Sequence, residues 1–392
     1  MKNTQPFFSR PRTQTAAIAL LLTIVCSSGA ALQATAQTFK TIYTFAGTPD
    51  ASGPRSGVIL DQAGNIYGTT EGGGTGKFGT AYKIDVNGQE TLLHSFSGPD
   101  GSTPFARLLR DAAGNLYGTT LAGGTQNHGT VFKIAADGTF STLYNFAGGS
   151  DAGAPRAGVT RDAAGNLYGA TGNGGQFTLG TIFKIDASGN KSVLHDFAGA
   201  PDGEDPAGDL IRDTAGNIYG TTVRGGTLDF GTVFKIDANG QETILYSFGT
   251  NPGDGSNPTS SLVLDAAGNL YGTTATSVDS PFNGTVFKLD TAGNETVLKN
   301  FNQTRADGKN PEAGLVRDAN GNLYGVCNLG GSANEGTLFV INASGKFRVL
   351  HNFQDSGDGA YAEGKLVLDG AGNLYGTTLG RLTRGSVFKV GR

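Results

Sequence analysis

Tryptophan is absent from the 392 residues, methionine occurs once and cysteine twice. Cys26 lies in an apolar run near the N-terminus, so the rest of the chain has only Cys327 and forms no internal disulfide. Cys327 stands where equivalent segments carry Thr70 and Thr120, which reads as a small buried side chain. Long apolar runs are also missing: residues 16–26 make up about half of the roughly 20 residues that a membrane-spanning helix needs. With Lys2, Arg10 and Arg12 before that run and Ala34-Thr35-Ala36 after it, residues 1–36 read as an export signal, cleaved to leave a chain that begins near Gln37. Val25 just before Cys26 argues against a lipidated cysteine. A basic excess is lacking as well. Removing the signal leaves 26 Lys and Arg against 33 Asp and Glu, a charge of −7, and nothing favours a nucleic acid or another polyanion as partner.

Glycine is abundant, with 64 copies, and it recurs at fixed places. The block Gly-Asn-(Leu/Ile)-Tyr appears seven times, with its tyrosine at Tyr67, Tyr117, Tyr168, Tyr219, Tyr271, Tyr324 and Tyr375, at spacings of 50 to 53 residues. A period of this length marks a repeat architecture. Within the second unit, four β-branched or aromatic runs are separated by turn chemistry: A (107–110), B (115–120), C (129–134) and D (141–146). Asp111 to Gly114 is a hairpin turn between A and B, and Ala136-Asp137-Gly138 is one between C and D. Antiparallel order puts both short turns on one face of the unit. The longer B-to-C and D-to-A connections share the other face, where a recognition surface is expected.

Seven four-stranded antiparallel sheets bury both faces by stacking radially, so the expected fold is an all-β, seven-bladed β-propeller over residues 37–392. The last unit has A (365–368), B (373–378) and C (385–390) but no D, whereas residues 39–45 have the pattern of D and precede the first A strand. That N-terminal strand is therefore expected to complete the last blade, closing the ring and removing an exposed edge. The alternative, a linear solenoid, does not explain a D strand displaced from one end to the other.

The ordered blocks Asp-x-x-Gly-Asn-Leu-Tyr-Gly-Thr-Thr, Gly-Gly, and Gly-Thr-Val-Phe-Lys-Ile-Asp, followed by Leu-Tyr-x-Phe, resemble the bacterial GloVer tandem repeat. The resemblance spans essentially all of residues 39–390 and implies an exported protein of unassigned activity. Many members end in an anchoring or sorting segment. This chain ends on strand C, which suggests a soluble monomer, periplasmic or secreted. The Asp-x-x-Gly-Asn-Leu-Tyr block also resembles NHL-type propellers and the Gly-Gly resembles kelch repeats, but the longer period and the missing Trp fit those less well. Missing Trp also excludes the quinone-cofactor propellers, which dock Trp between blades.

Repeat position separates candidate chemistry from scaffold, since a residue present in every unit serves the blade. The turn aspartates Asp61, Asp111, Asp162, Asp213, Asp265, Asp318 and Asp369 read as turn formers. A second ring, Asp50, Asp100, Asp151, Asp202, Asp254, Asp307 and Asp358, lies on the long-loop face and was placed around the central opening. Tight turns into the next A strand account for it better than Ca²⁺ binding. Arg110, Arg161, Arg212 and Arg317 share the last position of strand A and are expected to form local ion pairs at the short-turn end. His94, His195 and His351 occupy a strand D position held by Tyr43, Tyr144 and Tyr246 elsewhere, so no metal site and no cofactor are expected. Residues 72–77 fail as a phosphate loop, because Glu71 replaces the leading Gly and Phe78 the Ser or Thr.

Departures from the repeat cluster in the long loops, where His128, Phe230, Asp279 and Arg305 are the candidate ligand-binding residues. The expected function is a non-catalytic exported scaffold that binds an extracytoplasmic protein or glycan through this face. The alternative is a propeller enzyme, a metal-dependent hydrolase or lyase, with its site at the axial opening.

Overall fold

The computed structural model describes residues 1–3, 38–278, 283–301 and 304–391, and Gln37–Arg392 forms one compact unit. Apart from residues 1–3, the expected export signal lies outside the described residues. Seven antiparallel sheets follow one another as the blades of a β-propeller. In blade 2 the strands are A Leu109–Arg110, B Leu116–Thr120, C Thr130–Ile134 and D Phe140–Asn145, paired in the order A-B-C-D. Blade 7 takes its D strand, Phe39–Thr44, from the N-terminus: Phe39 pairs with Val390 and Thr44 with Ser386. The expected closure is therefore the observed one. Among the described residues, no helix is long and apolar enough to cross a membrane.

The repeated residues have identifiable duties. Asp111 accepts the backbone N–H of Asn115 at 2.9 Å on one carboxylate oxygen, and the Asn115 amide at 2.8 Å and the Tyr117 hydroxyl at 3.1 Å on the other. The same Asp-Asn-Tyr arrangement closes the A-to-B turn in every blade. Gly118 lies opposite Phe132, and a Cβ there would sit 2.5 Å from the ring, so the glycine after each tyrosine makes room for the aromatic of strand C. In the Thr-Thr pair the second hydroxyl bonds strand C, as Thr120 does Thr130 at 2.8 Å. The first reaches the next blade, as Thr119 donates to the Ala157 carbonyl at 2.9 Å.

That last bond explains why strand A is shorter than expected. Of the expected 107–110 only Leu109–Arg110 joins the sheet; just before it the carbonyl of Ala106 accepts from Thr69 of blade 1 at 3.1 Å, so the entry to strand A bonds the neighbouring blade and lines the axis. Aromatic rings complete the seams. The buried Phe that follows strand D meets the strand C aromatic of the next blade at 5.2 Å for Phe96 and Phe132, and at 5.0 Å for Phe45 and Tyr82, where the ring closes.

Candidate axial site

The residue that follows the proline entering strand A is Arg55, Phe105, Arg156, Ala207, Thr259, Glu312 and Glu363 in blades 1 to 7, with Ala362 in place of the proline in the last. Its neighbours in the repeat are nearly constant and this position is not. All seven side chains line one cavity of about 440 Å³, so it lies on the axis, at the long-loop face. Leu121 and Val223, each just after a B strand, add to its wall. Blades 2 and 4 contribute an apolar arc of Phe105, Leu121, Ala207 and Val223, whereas blades 6, 7 and 1 contribute a polar one.

The polar arc is cross-braced. Arg55 donates from Nε to Glu71 at 2.8 Å and from a terminal nitrogen to Glu363 at 2.7 Å. The second oxygen of Glu363 accepts from the Asn328 amide at 2.8 Å, and Asn328 also faces Glu312. Burial pushes the carboxyls of Glu312 and Glu363 above the usual range, opposed at Glu363 by Arg55 and at Glu312 by Asn328 and Arg55. Across the cavity Asp205, at a φ of 56°, meets Arg156 at 3.2 Å, and burial raises its carboxyl despite Arg156 and Arg224. The Thr259 hydroxyl is buried without a hydrogen-bond partner.

The second aspartate ring is peripheral, which corrects its expected place around the opening. Each carboxylate turns outward to strand D: Asp50 accepts from Tyr43 at 3.3 Å, Asp151 from Tyr144 at 2.6 Å, and Asp100 and Asp358 lie 2.9 Å from His94 and His351. The first residue of the next D strand closes this latch, as Lys191 pairs with Asp151 at 2.9 Å and Phe140 stacks on His94 at 3.7 Å. Where His, Asp and Glu coincide, at His195, Asp202 and Glu242, potential ligand atoms lie within 4.8 Å of one another. Blades with Tyr43, Asp50 and Glu90, or Tyr246, Asp254 and Glu295, show the same latch without the imidazole, so it is a seam device.

The strand A arginines also differ from expectation. Among the described residues none of them makes an ion pair; Arg110, Arg161, Arg212 and Arg317 lie over the tyrosine of the preceding blade at 5.5–5.9 Å. Strand A points its last side chain across the seam, so the guanidinium meets Tyr67, Tyr117, Tyr168 or Tyr271 and not its adjacent aspartate.

Of the four loop residues singled out above, the three that are described, His128, Phe230 and Arg305, do not line the cavity. His128 is exposed and packs beside Gly148 and Gly153 of the next connection. Phe230 packs on Gly249 and the edge of the core between blades 4 and 5. Arg305 is exposed and donates to Asn334 at 3.2 Å. Asp279 lies outside the described residues.

A family model, the Gloeobacter/Verrucomicrobia repeat, matches residues 27–216 and again 189–389. The chain belongs to this family. Among curated proteins none matches the sequence. Solved structures share the propeller fold with this Gloeobacter/Verrucomicrobia repeat protein at low identity. Streptogramin B lyase superposes with a TM-score of 0.64 at 15% identity, over 90% of this chain and 97% of that one. A protein described provisionally as the extracellular domain of a hybrid two-component system from B. thetaiotaomicron gives 0.59 at 17%, over 91% of this chain but 41% of that one. A Bacteroides uniformis protein described provisionally as a 6-phosphogluconolactonase gives 0.51 at 15%, over 77% and 87%.

Sequence reasoning missed the axial residues because it looked for departures in loop length. The signal was present in the family repeat as Pro-x-small-x-apolar, in which the two x positions vary together while the others hold. Alternation with a period of two turns both x side chains to the same side, the one away from the blade core.

Proposed function

We propose that this chain is an exported binding protein that admits a small amphipathic ligand, such as an organic acid or the end of a glycan, into the axial cavity of its long-loop face. One observation carries this reading: seven side chains of five different kinds, one from each blade, converge on a single cavity, while the surrounding repeat residues are nearly identical. A cavity of this size is typical of small-molecule sites, and a largely apolar wall with a few fixed polar groups suits an amphipathic guest. Export is supported by the sequence of residues 1–36; the structural neighbours, at their low identities, support the fold alone.

A second reading, proton transfer on the bound ligand, is favoured by Glu312. Both oxygens of Glu363 are taken by Arg55 and Asn328, and burial raises the carboxyls of Glu363 and of Glu312 beside it. Two adjacent carboxyls raised by burial suit general acid–base work.

The test is a thermal-shift screen of residues 37–392 against organic acids, sugars and aromatic amides. A hit should be lost in Phe105→Ala with Glu363→Gln and kept when His128, Phe230 and Arg305 are all replaced by Ala. The reverse pattern would place the site on the loops and overturn the axial reading. Chemistry, if the hit is turned over, should disappear in Glu312→Gln while binding stays.

A further inference from the structure

Below the cavity the axis narrows to a waist of about 110 Å³, which shares Arg55, Phe105, Thr259 and Glu363 with the space above. The second variable position is Gly57, Arg107, Gly158, Asp209, Ser261, Gly314 and Lys365 in blades 1 to 7, and all but Gly158 line the waist. Four of these are Gly or Ser, so three charged side chains meet in a channel that the small residues keep open. A volume of this size holds three or four waters at roughly 30 Å³ each, or one carboxylate or phosphate group.

The charges do not balance. Asp209 accepts the N–H of Gly158 at 2.7 Å and its charge offsets part of that of Arg107 and Lys365. Arg107 donates from Nε to the Val58 carbonyl at 3.2 Å, and Lys365 reaches across to the Leu262 carbonyl only at 3.5 Å. Neither cation makes an ion pair among the described residues. Among the second-position side chains two cations thus stand against one anion, Asp209, while Glu312 and Glu363 of the layer above are held by Arg55 and Asn328; that local excess is costly unless a further anion enters. Burial and the nearby Arg107 pull the Lys365 ammonium down to about 8, in keeping with that deficit. The unpartnered hydroxyl of Thr259 lies at the top of the same channel and offers a donor. Rim arginines cannot serve instead: Arg55 is held by Glu71 and Glu363, and Arg156 by Asp205.

We propose that the waist is an anion site formed by Arg107, Lys365 and Thr259, and that it takes the carboxylate or phosphate head of a ligand whose apolar body lies against Phe105, Leu121 and Val223. This rests on the axial cavity being the ligand site, and it names the ligand class: a compact organic anion, entering head first. Two sources share the chemistry, a free inorganic anion and the head of an organic ligand.

Calorimetric titration of residues 37–392 separates them, with inorganic phosphate, acetate, 3-phenylpropionate and neutral 3-phenylpropionamide as probes. The expected result is that phenylpropionate binds at least tenfold more tightly than acetate or the amide. It should lose at least tenfold in Arg107→Met and in Lys365→Met, and severalfold in Phe105→Ala. Phosphate and acetate binding as tightly as phenylpropionate, with no effect of Phe105→Ala, would assign the waist to a free anion and overturn the organic-ligand part. Absence of binding by every anion, or unchanged affinity in both methionine variants, would overturn the site itself. The axial reading survives that failure if a neutral screening hit still depends on Phe105. Should a methionine variant not fold, Arg107→Lys and Lys365→Arg keep the charge and must keep the anion.

Discussion

Tyr82 stands where the other six blades place Phe132, Phe183, Phe234, Phe287, Phe339 and Phe388. The residue is fully buried, and its hydroxyl crowds Gly68 with no hydrogen-bond partner. Burial accordingly pushes the phenol far above its usual range, with Glu90 adding to the shift. An orphaned buried hydroxyl costs about 1–3 kcal/mol, and here nothing is returned for it. Tyr82→Phe is therefore expected to stabilise the protein by about 1–2 kcal/mol, read as a higher urea midpoint at unchanged slope; a lower midpoint would mean that the hydroxyl has a partner. Cys327 is the comparable exception in blade 6 and fits its place. It is fully buried where Thr120 sits in blade 2, and burial raises its thiol, as expected for an inert small side chain.

At the scale of the strand, the latches between D strands carry a pH signature. Glu90 and Glu295 begin their D strands facing Asp50 and Asp254, and each keeps one buried carboxyl oxygen without a partner. Burial, then the neighbouring aspartate, pushes both up to about 7. A carboxyl raised in the folded state binds protons more tightly there than in the unfolded chain. Its contribution is thus fully present below the unfolded value near 4.5 and is lost as pH rises through about 7. Glu90→Gln with Glu295→Gln should flatten the fall in stability between pH 5 and 7.5. At pH 7.5 each substitution should add roughly 1 kcal/mol, a figure reduced for partial solvent screening. Melting curves across that range check it, and a slope equal to that of the parent protein would show that the two glutamates are not raised by burial. These latches also explain why radial position was hard to read. Spacing placed the Asp50 to Asp358 ring on the correct face, but its distance from the axis depends on which strand each carboxylate turns to, and that choice is made by the Tyr or His of strand D.

For the whole molecule, architecture was legible because the blades repeat the residues that build them: the Asp-Asn-Tyr turn and the glycine beneath the strand C ring in all seven, and the Thr pair in five. The candidate site was not, because Phe105, Glu363, Arg107 and Lys365 are single substitutions inside a repeated block, and only the strand period shows that they face one channel. Ring closure is where repetition and uniqueness meet. Phe39–Thr44 pairs with Ser386–Val390, Phe39 stacks on His351 at 4.0 Å, and Phe45, only 2% exposed, meets Tyr82 of blade 1 at 5.0 Å. The ladder, the stacked ring and the buried Phe all vanish if residues 39–45 are deleted, and strand C of blade 7 becomes an open apolar edge. Loss of one buried Phe side chain alone costs about 3–5 kcal/mol, against a total of about 5–15 kcal/mol for a typical domain. Expression of residues 46–392 is therefore expected to give aggregates or a chain with no cooperative melting transition, whereas residues 37–392 melt cooperatively. Adding a peptide of residues 37–45 in trans should restore part of that transition, since the vacant edge is specific for it. A truncated chain that stays soluble and melts at the temperature of the intact one would show that the seventh blade does not need its N-terminal strand.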